Sequence, residues 1–63
     1  MIPTEQDVID AFDSFEDSIV HSQALQSKLR NQGFDINEIV TAINGAIKNG
    51  KLANNSIGEL SKV

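Results

Sequence analysis

The chain has 63 residues, so we expect one domain over residues 1–63, of a size that buries only about 60% of the surface its unfolded chain exposes. It carries nine acidic residues, five basic residues and one histidine, has a net charge of −4, and contains no cysteine. This composition excludes disulfide-stapled folds, thiolate metal sites and histidine-cluster zinc sites.

The hydropathy pattern bears on membrane association and cellular location. No apolar run approaches the roughly 20 residues of a transmembrane helix, and the first residues lack the basic and apolar regions of a signal peptide. We therefore expect no membrane contact and a cytoplasmic location.

Charge is distributed unevenly. Residues 1–20 contain six acidic residues and no basic one, whereas residues 21–63 contain five basic and three acidic residues. Such asymmetry can orient a charged partner. The basic excess of the second part is smaller than that of a typical DNA-binding domain.

Helix 1 is predicted over about residues 5–16. Thr4 is a suitable N-cap, and Glu5 and Asp7 place negative charge in the first turn, where the helix dipole favours it. Residues 18–21 could instead form a short extended segment, because they include β-branched residues that favour strands. The apolar residues at helical spacing predict one buried stripe: Val8, Ala11, Phe12, Phe15 and Ile19.

Helix 2 is predicted over about residues 23–32, with Ser22 as its N-cap and Gly33 as the left-handed residue after its end. Helix 3 is predicted over about residues 36–49. Asp35 is its N-cap, and Glu38, three residues on, completes a capping-box pattern. The predicted apolar stripe of helix 3 consists of Ile36, Ile39, Val40, Ile43 and Ile47.

A C-terminal β-hairpin is predicted over about residues 51–61. Asn54, Asn55, Ser56 and Gly58 have the chemistry of a turn. The sequence thus predicts a mainly α fold, a three-helix core closed by a hairpin. Its expected core is Phe12, Leu25, Leu29, Phe34, Ile39, Ile43 and Ile47, closed by Leu52 and Leu60.

The chain resembles the winged helix-turn-helix superfamily in three segments, which are His21–Leu25, Leu29–Phe34 and Ile43–Leu52. The order of helix, short extended piece, helix, tight turn, helix and hairpin resembles that of its members over about residues 5–61. The resemblance implies that helix 3 is a recognition helix and that the hairpin is the wing.

A second resemblance competes with the first. Leu29–Phe34 is similar to the first loop of ubiquitin-associated domains, with Gln32 in place of the usual methionine. This resemblance implies the alternative fold, an all-α three-helix bundle.

If helix 3 is a recognition helix, its polar residues are the candidate DNA contacts. Asparagine can bond an adenine edge, threonine can contact a thymine methyl or a phosphate, and lysine can bind phosphate. The same residue types are also typical of an ordinary solvated face. The candidates are Asn37, Thr41, Asn44 and Lys48 on helix 3, with Lys51 beside the hairpin.

The alternative function is protein binding. Asp10, Asp13 and Asp17 are predicted on the polar face of helix 1, where they could dock a basic protein surface. A single helix face rarely surrounds a metal ion, so no metal site is expected there.

The remaining patterns predict no chemistry. No catalytic motif is present, and His21 is interpreted as a turn residue, so we expect no enzyme activity and no cofactor. Ala42 and Gly45 are predicted on the side of helix 3 away from the core, where small residues permit close approach. A chain this short also stands to gain from forming a homodimer that buries Ile9 and Val20.

Overall fold

The computed structural model describes residues 2–63, which form three helices and a three-stranded antiparallel sheet. The predicted helical core with a C-terminal hairpin is confirmed, and the all-helical alternative is wrong. In chain order the elements are α1 (Glu5–Asp13), β1 (Ile19–His21), α2 (Ser22–Asn31), α3 (Ile36–Lys48), β2 (Leu52–Asn54) and β3 (Glu59–Lys62).

A reciprocal cap starts α1 where the sequence predicts it. The Thr4 hydroxyl accepts a hydrogen bond from the Asp7 backbone N–H at 3.0 Å, and the Asp7 carboxylate accepts one from the Thr4 N–H at 2.9 Å. This capping box satisfies two N–H groups of the first turn. The helix ends at Asp13, three residues earlier than predicted, and Glu16 then adopts a left-handed conformation with φ 58°.

The segment after α1 takes the extended alternative and forms β1. Val20 lies opposite Leu60 of β3 and is buried. Ile19 faces the other side of the sheet and is 53% exposed, so its predicted place in the stripe of helix 1 is wrong. The burial of Val20 and partial burial of Ile9 also remove the predicted reason for a homodimer.

The sheet has the order β1-β3-β2, so the last strand of the chain lies in the middle. The β1–β3 pairing continues onto α2, because the Ser22 backbone N–H donates to the Gly58 carbonyl at 2.9 Å. The start of α2 is thereby held against the loop of the hairpin.

The N-cap of α2 is His21 and not Ser22. The His21 Nδ1 atom accepts a hydrogen bond from the Gln23 backbone N–H at 3.2 Å. Because β1 runs directly into α2, the last strand residue has the extended backbone of a cap, and Ser22 is already helical.

Both later helices are followed by glycines with positive φ, as the sequence predicts for Gly33 after α2. Gly33 follows α2 and Gly50 follows α3. After α3, the Gly50 N–H donates to Ile47 and the Lys51 N–H to Ala46, which is the pattern of a Schellman motif. This ending directs the chain straight into β2.

One apolar core joins the three helices to the inner face of the sheet. Phe34 and Ile47 are only partly buried against it, and Ile36 and Val40 are exposed at 36% and 38%, so the predicted stripe of helix 3 is too wide. The residue that it omits is Ala46, which is fully buried. The buried residues of this core are Val8, Ala11, Phe12, Val20, Leu25, Leu29, Ile39, Ile43, Ala46, Leu52 and Leu60.

Two isoleucines of α3 test this burial with the same chemical change. Ile39 is fully buried and Ile36 is not. We expect Ile39→Val to lower the free energy of unfolding by about 0.5–1.5 kcal/mol and Ile36→Val to change it much less. Urea denaturation followed by circular dichroism measures both, and equal losses would contradict the orientation of α3.

The cap of α2 is tested by a second pair. We expect His21→Ala to cost about 0.5–2 kcal/mol, because it leaves the Gln23 N–H without its acceptor, and His21→Asn to retain the cap. Ser22→Ala is the matched control and should be nearly neutral in the same denaturation experiment. A larger loss for Ser22→Ala than for His21→Ala would return the cap to Ser22.

Candidate functional site

The polar residues predicted on helix 3 do share one exposed face. Asn37, Thr41, Asn44 and Lys48 follow one another at spacings of four, three and four residues, and all are exposed. They lie opposite the buried side formed by Ile39, Ile43 and Ala46. We call these four residues the α3 face. Lys51 is also exposed and lies just beyond its C-terminal end.

A groove of about 150 Å³ runs beside the α3 face. It separates α3 from the first two turns of α2 and from the hairpin, and Asn44 belongs both to the groove and to the α3 face. No charged residue lines it. The lining residues are Ser22, Gln26, Val40, Ile43, Asn44, Ile47, Asn54, Gly58 and Leu60.

The far wall of the groove is formed by Asn54, Gly58 and Leu60 of the hairpin, whose loop, residues 55–58, is organised by Asn55. The Asn55 side-chain oxygen accepts hydrogen bonds from the N–H groups of Ile57 and Glu59, and its amide donates to the Glu59 carboxylate at 3.1 Å. Gly58 has φ 85° and closes the turn, a conformation that favours glycine. The loop therefore has a defined shape, with Ile57 exposed.

Two of the five cations of the chain are engaged away from the groove. Lys62 forms an ion pair with Asp13, and the Lys28 ammonium lies 5.9 Å from the centre of the Phe15 ring. Lys48 and Lys51 are the basic residues at the α3 end of the surface. At the opposite end of α3 stand two acidic residues, Asp35 and Glu38.

The three aspartates predicted on one face of helix 1 are not arranged in that way. Asp13 is the last residue of α1, and Asp17 lies four residues beyond it in the connection to β1. Asp10 accepts a hydrogen bond from Gln6 at 2.8 Å, and Asp13 is paired with Lys62. The early end of α1 is the reason that the predicted acidic helix face is shorter than expected.

The small residues of α3 form no exposed contact face either. Ala42 is half-buried and packs against the core, so its predicted position away from the core is wrong. Gly45 is half-buried too, and a Cβ added there would meet no atom within 4 Å.

The described part of the chain groups no set of side chains that could hold a metal ion. His21 is occupied in capping α2, beside Gly58. Within residues 2–63, no three His, Asp or Glu side chains are grouped as metal ligands. The Asn49 amide donates to the Glu5 carboxylate at 3.1 Å, which ties the end of α3 to the start of α1.

Three residues that line the groove were not predicted from the sequence, namely Val40, Gln26 and Asn54. Val40 was placed in the core stripe, although its position on a helical projection lies between the core and the α3 face. Gln26 and Asn54 carry no signal of their own, because only the fold brings them to α3.

No family model, curated protein or solved structure matches the chain significantly. Among the helices that residues 2–63 form, none has both the length and the apolar character needed to cross a membrane.

The role of Asn55 can be tested without disturbing the core. We expect Asn55→Ala to accelerate amide hydrogen exchange at Ile57 and Glu59, because both N–H groups lose their acceptor. Asn54→Ala is the matched control, since the Asn54 side chain makes no hydrogen bond within residues 2–63. NMR-detected exchange measures both variants, and unchanged exchange in Asn55→Ala would contradict the organising role of this side chain.

Proposed function

We propose that this protein is a non-catalytic binding module of winged-helix type that contacts duplex DNA through the α3 face and the hairpin. The observation that carries the proposal is the α3 face itself, four exposed polar residues on the helix that stands next to the hairpin. Asparagine, threonine and lysine are residue types that contact bases and phosphates. A cytoplasmic location agrees with such a role.

The topology supports the same proposal. The order α1-β1-α2-α3-β2-β3, with β1 joined to the hairpin, is the order expected from the resemblance to winged helix-turn-helix proteins. In that arrangement α3 enters the major groove and the hairpin lies beside it. Fold alone does not define function, so the proposal depends on the side chains of the surface.

Charge sets the strength of this binding. Lys48 and Lys51 are the two cations at the C-terminal end of the α3 face, and the chain as a whole carries a net charge of −4. Two phosphate contacts give a slope of about −2 for log K against log salt. We therefore expect weak binding that depends on contacts to the bases more than on phosphate attraction.

Charge reversal at one lysine of the α3 face and at one arginine outside it tests the proposal. We expect Lys48→Glu to abolish binding to a mixed-sequence duplex at low salt, because it replaces a phosphate contact with repulsion. Arg30→Glu is the control, with the same charge change in the last turn of α2, away from the groove. Fluorescence anisotropy at several salt concentrations measures both. Equal losses in the two variants would indicate a non-specific charge effect and contradict the assignment of the surface.

A second candidate function is docking of a basic protein surface on the acidic N-terminal part. Asp10, Glu16 and Asp17 are exposed there, and within the described residues only Lys62 pairs with an acid of this part. Under this alternative, reversing Asp10 and Asp17 to lysine abolishes capture of the partner and Lys48→Glu is silent. Under the DNA proposal, the same reversal strengthens duplex binding by reducing repulsion.

A further inference from the structure

We infer that the α3 face reads A·T base pairs in the major groove. This inference rests on the proposed function and adds the class of sequence that the surface recognises. Some side chains of the α3 face and the groove make hydrogen bonds within the protein and others make none. The inference depends on which base edges the second group can match.

Some carboxamides of the chain take part in the fold and others do not. Those of Asn49 and Asn55 hold the fold together, through Glu5 and through the hairpin loop. Those of Asn37, Asn44 and Gln26 make no hydrogen bond within residues 2–63. Asn44 and Gln26 line the same groove, and Asn37 lies two turns before Asn44 on the α3 face.

A free carboxamide has a donor and an acceptor side by side. This pair matches the N6 amino group and N7 of adenine in the major groove, which asparagine and glutamine bond in bidentate fashion. Guanine presents two acceptors at the corresponding edge and is matched by arginine or lysine. From Asn37 to Asn44 the α3 face holds no cation, so it offers adenine a bidentate partner and lacks the bidentate donor that matches guanine.

Methyl groups lie beside these carboxamides. The Thr41 hydroxyl donates to the Asn37 carbonyl at 3.0 Å, so the hydroxyl is engaged with its own helix and the methyl group is left for contact. Val40 is 38% exposed at the border between the α3 face and the groove. Aliphatic groups in the major groove contact the C5-methyl group of thymine, which a G·C pair lacks.

The length of the face sets the size of the site. Seven residues separate Asn37 from Asn44, a rise of about 10 Å along the helix. This distance equals about three base-pair steps of roughly 3.4 Å. Lys48, one turn further on, is then placed to hold a phosphate at the end of an A·T block of three or four pairs.

The test compares duplexes of one length that differ only in a central block of four base pairs. The blocks are A·T, G·C, A·U and inosine·cytosine. Uracil removes the thymine methyl group, while inosine·cytosine keeps the major-groove edge of G·C and lacks its minor-groove amino group. We expect the A·T duplex to bind about tenfold more tightly than G·C or inosine·cytosine, with A·U between them.

Three variants assign the readout to side chains. Asn44→Ala should lower affinity for A·T about tenfold and leave G·C unchanged. Val40→Ala should reduce the preference for A·T over A·U, because only the Thr41 methyl group remains to contact thymine. Asn31→Ala, an exposed carboxamide at the other end of α2, is the control and should behave as the unaltered protein. Circular dichroism of each variant verifies that it is folded.

Each contrary result is distinct. Equal binding of A·T and G·C would overturn this inference and leave DNA binding intact. Inosine·cytosine binding as tightly as A·T would place the readout in the minor groove and overturn it as well. An A·T preference of unchanged size in both Asn44→Ala and Val40→Ala would overturn the assignment of the readout to these side chains. Failure to bind any duplex would overturn both the inference and the proposed function.

Discussion

The pairing of β1 with β3 is the constraint on which the arrangement of the molecule depends. Residues 19–21 lie next to residues 59–61, so a three-residue strand joins the first half of the chain to its end. The bond from Ser22 to Gly58 extends this junction by one residue. Without it, β3 would keep only β2 as a partner in the sheet, and the hairpin would lose its connection to the start of α2.

The fold also sorts charge. The groove and the α3 face carry no carboxylate, as the proposed binding of DNA by an acidic protein requires. Repulsion from the N-terminal acids acts at longer range and is screened over about 8–10 Å at moderate salt. The local chemistry of the α3 face and the groove is that of carboxamides and methyl groups.

The helices could be predicted from the sequence because their signals are local. Thr4 and Asp35 cap α1 and α3 as expected, and Gly33 and Gly50 follow α2 and α3. The register of β1 could not be predicted, because three residues hold too little periodicity and their partner lies about 40 residues away. The errors at Val20 and at the cap of α2 both follow from that one missing contact.

The candidate site was predicted in part, for a similar reason. The α3 face is a property of one helix, so its spacing identifies it, whereas the groove is formed by three separate elements. Val40 illustrates the difference, because an aliphatic residue near a core stripe is assigned to the core unless the neighbouring elements are known. Only the folded structure shows that the exposed 38% of Val40 borders the α3 face.

The hydrogen bonds of Asn55 affect the entropy of binding of any partner that contacts the hairpin loop. A loop that is ordered by its own side chain has already lost most of its conformational freedom before a partner arrives. Binding then carries a smaller entropic penalty, and the partner must conform to the loop, since the loop does not mould itself to the partner. Such a surface selects by shape, and it discriminates against partners that would need the turn to open.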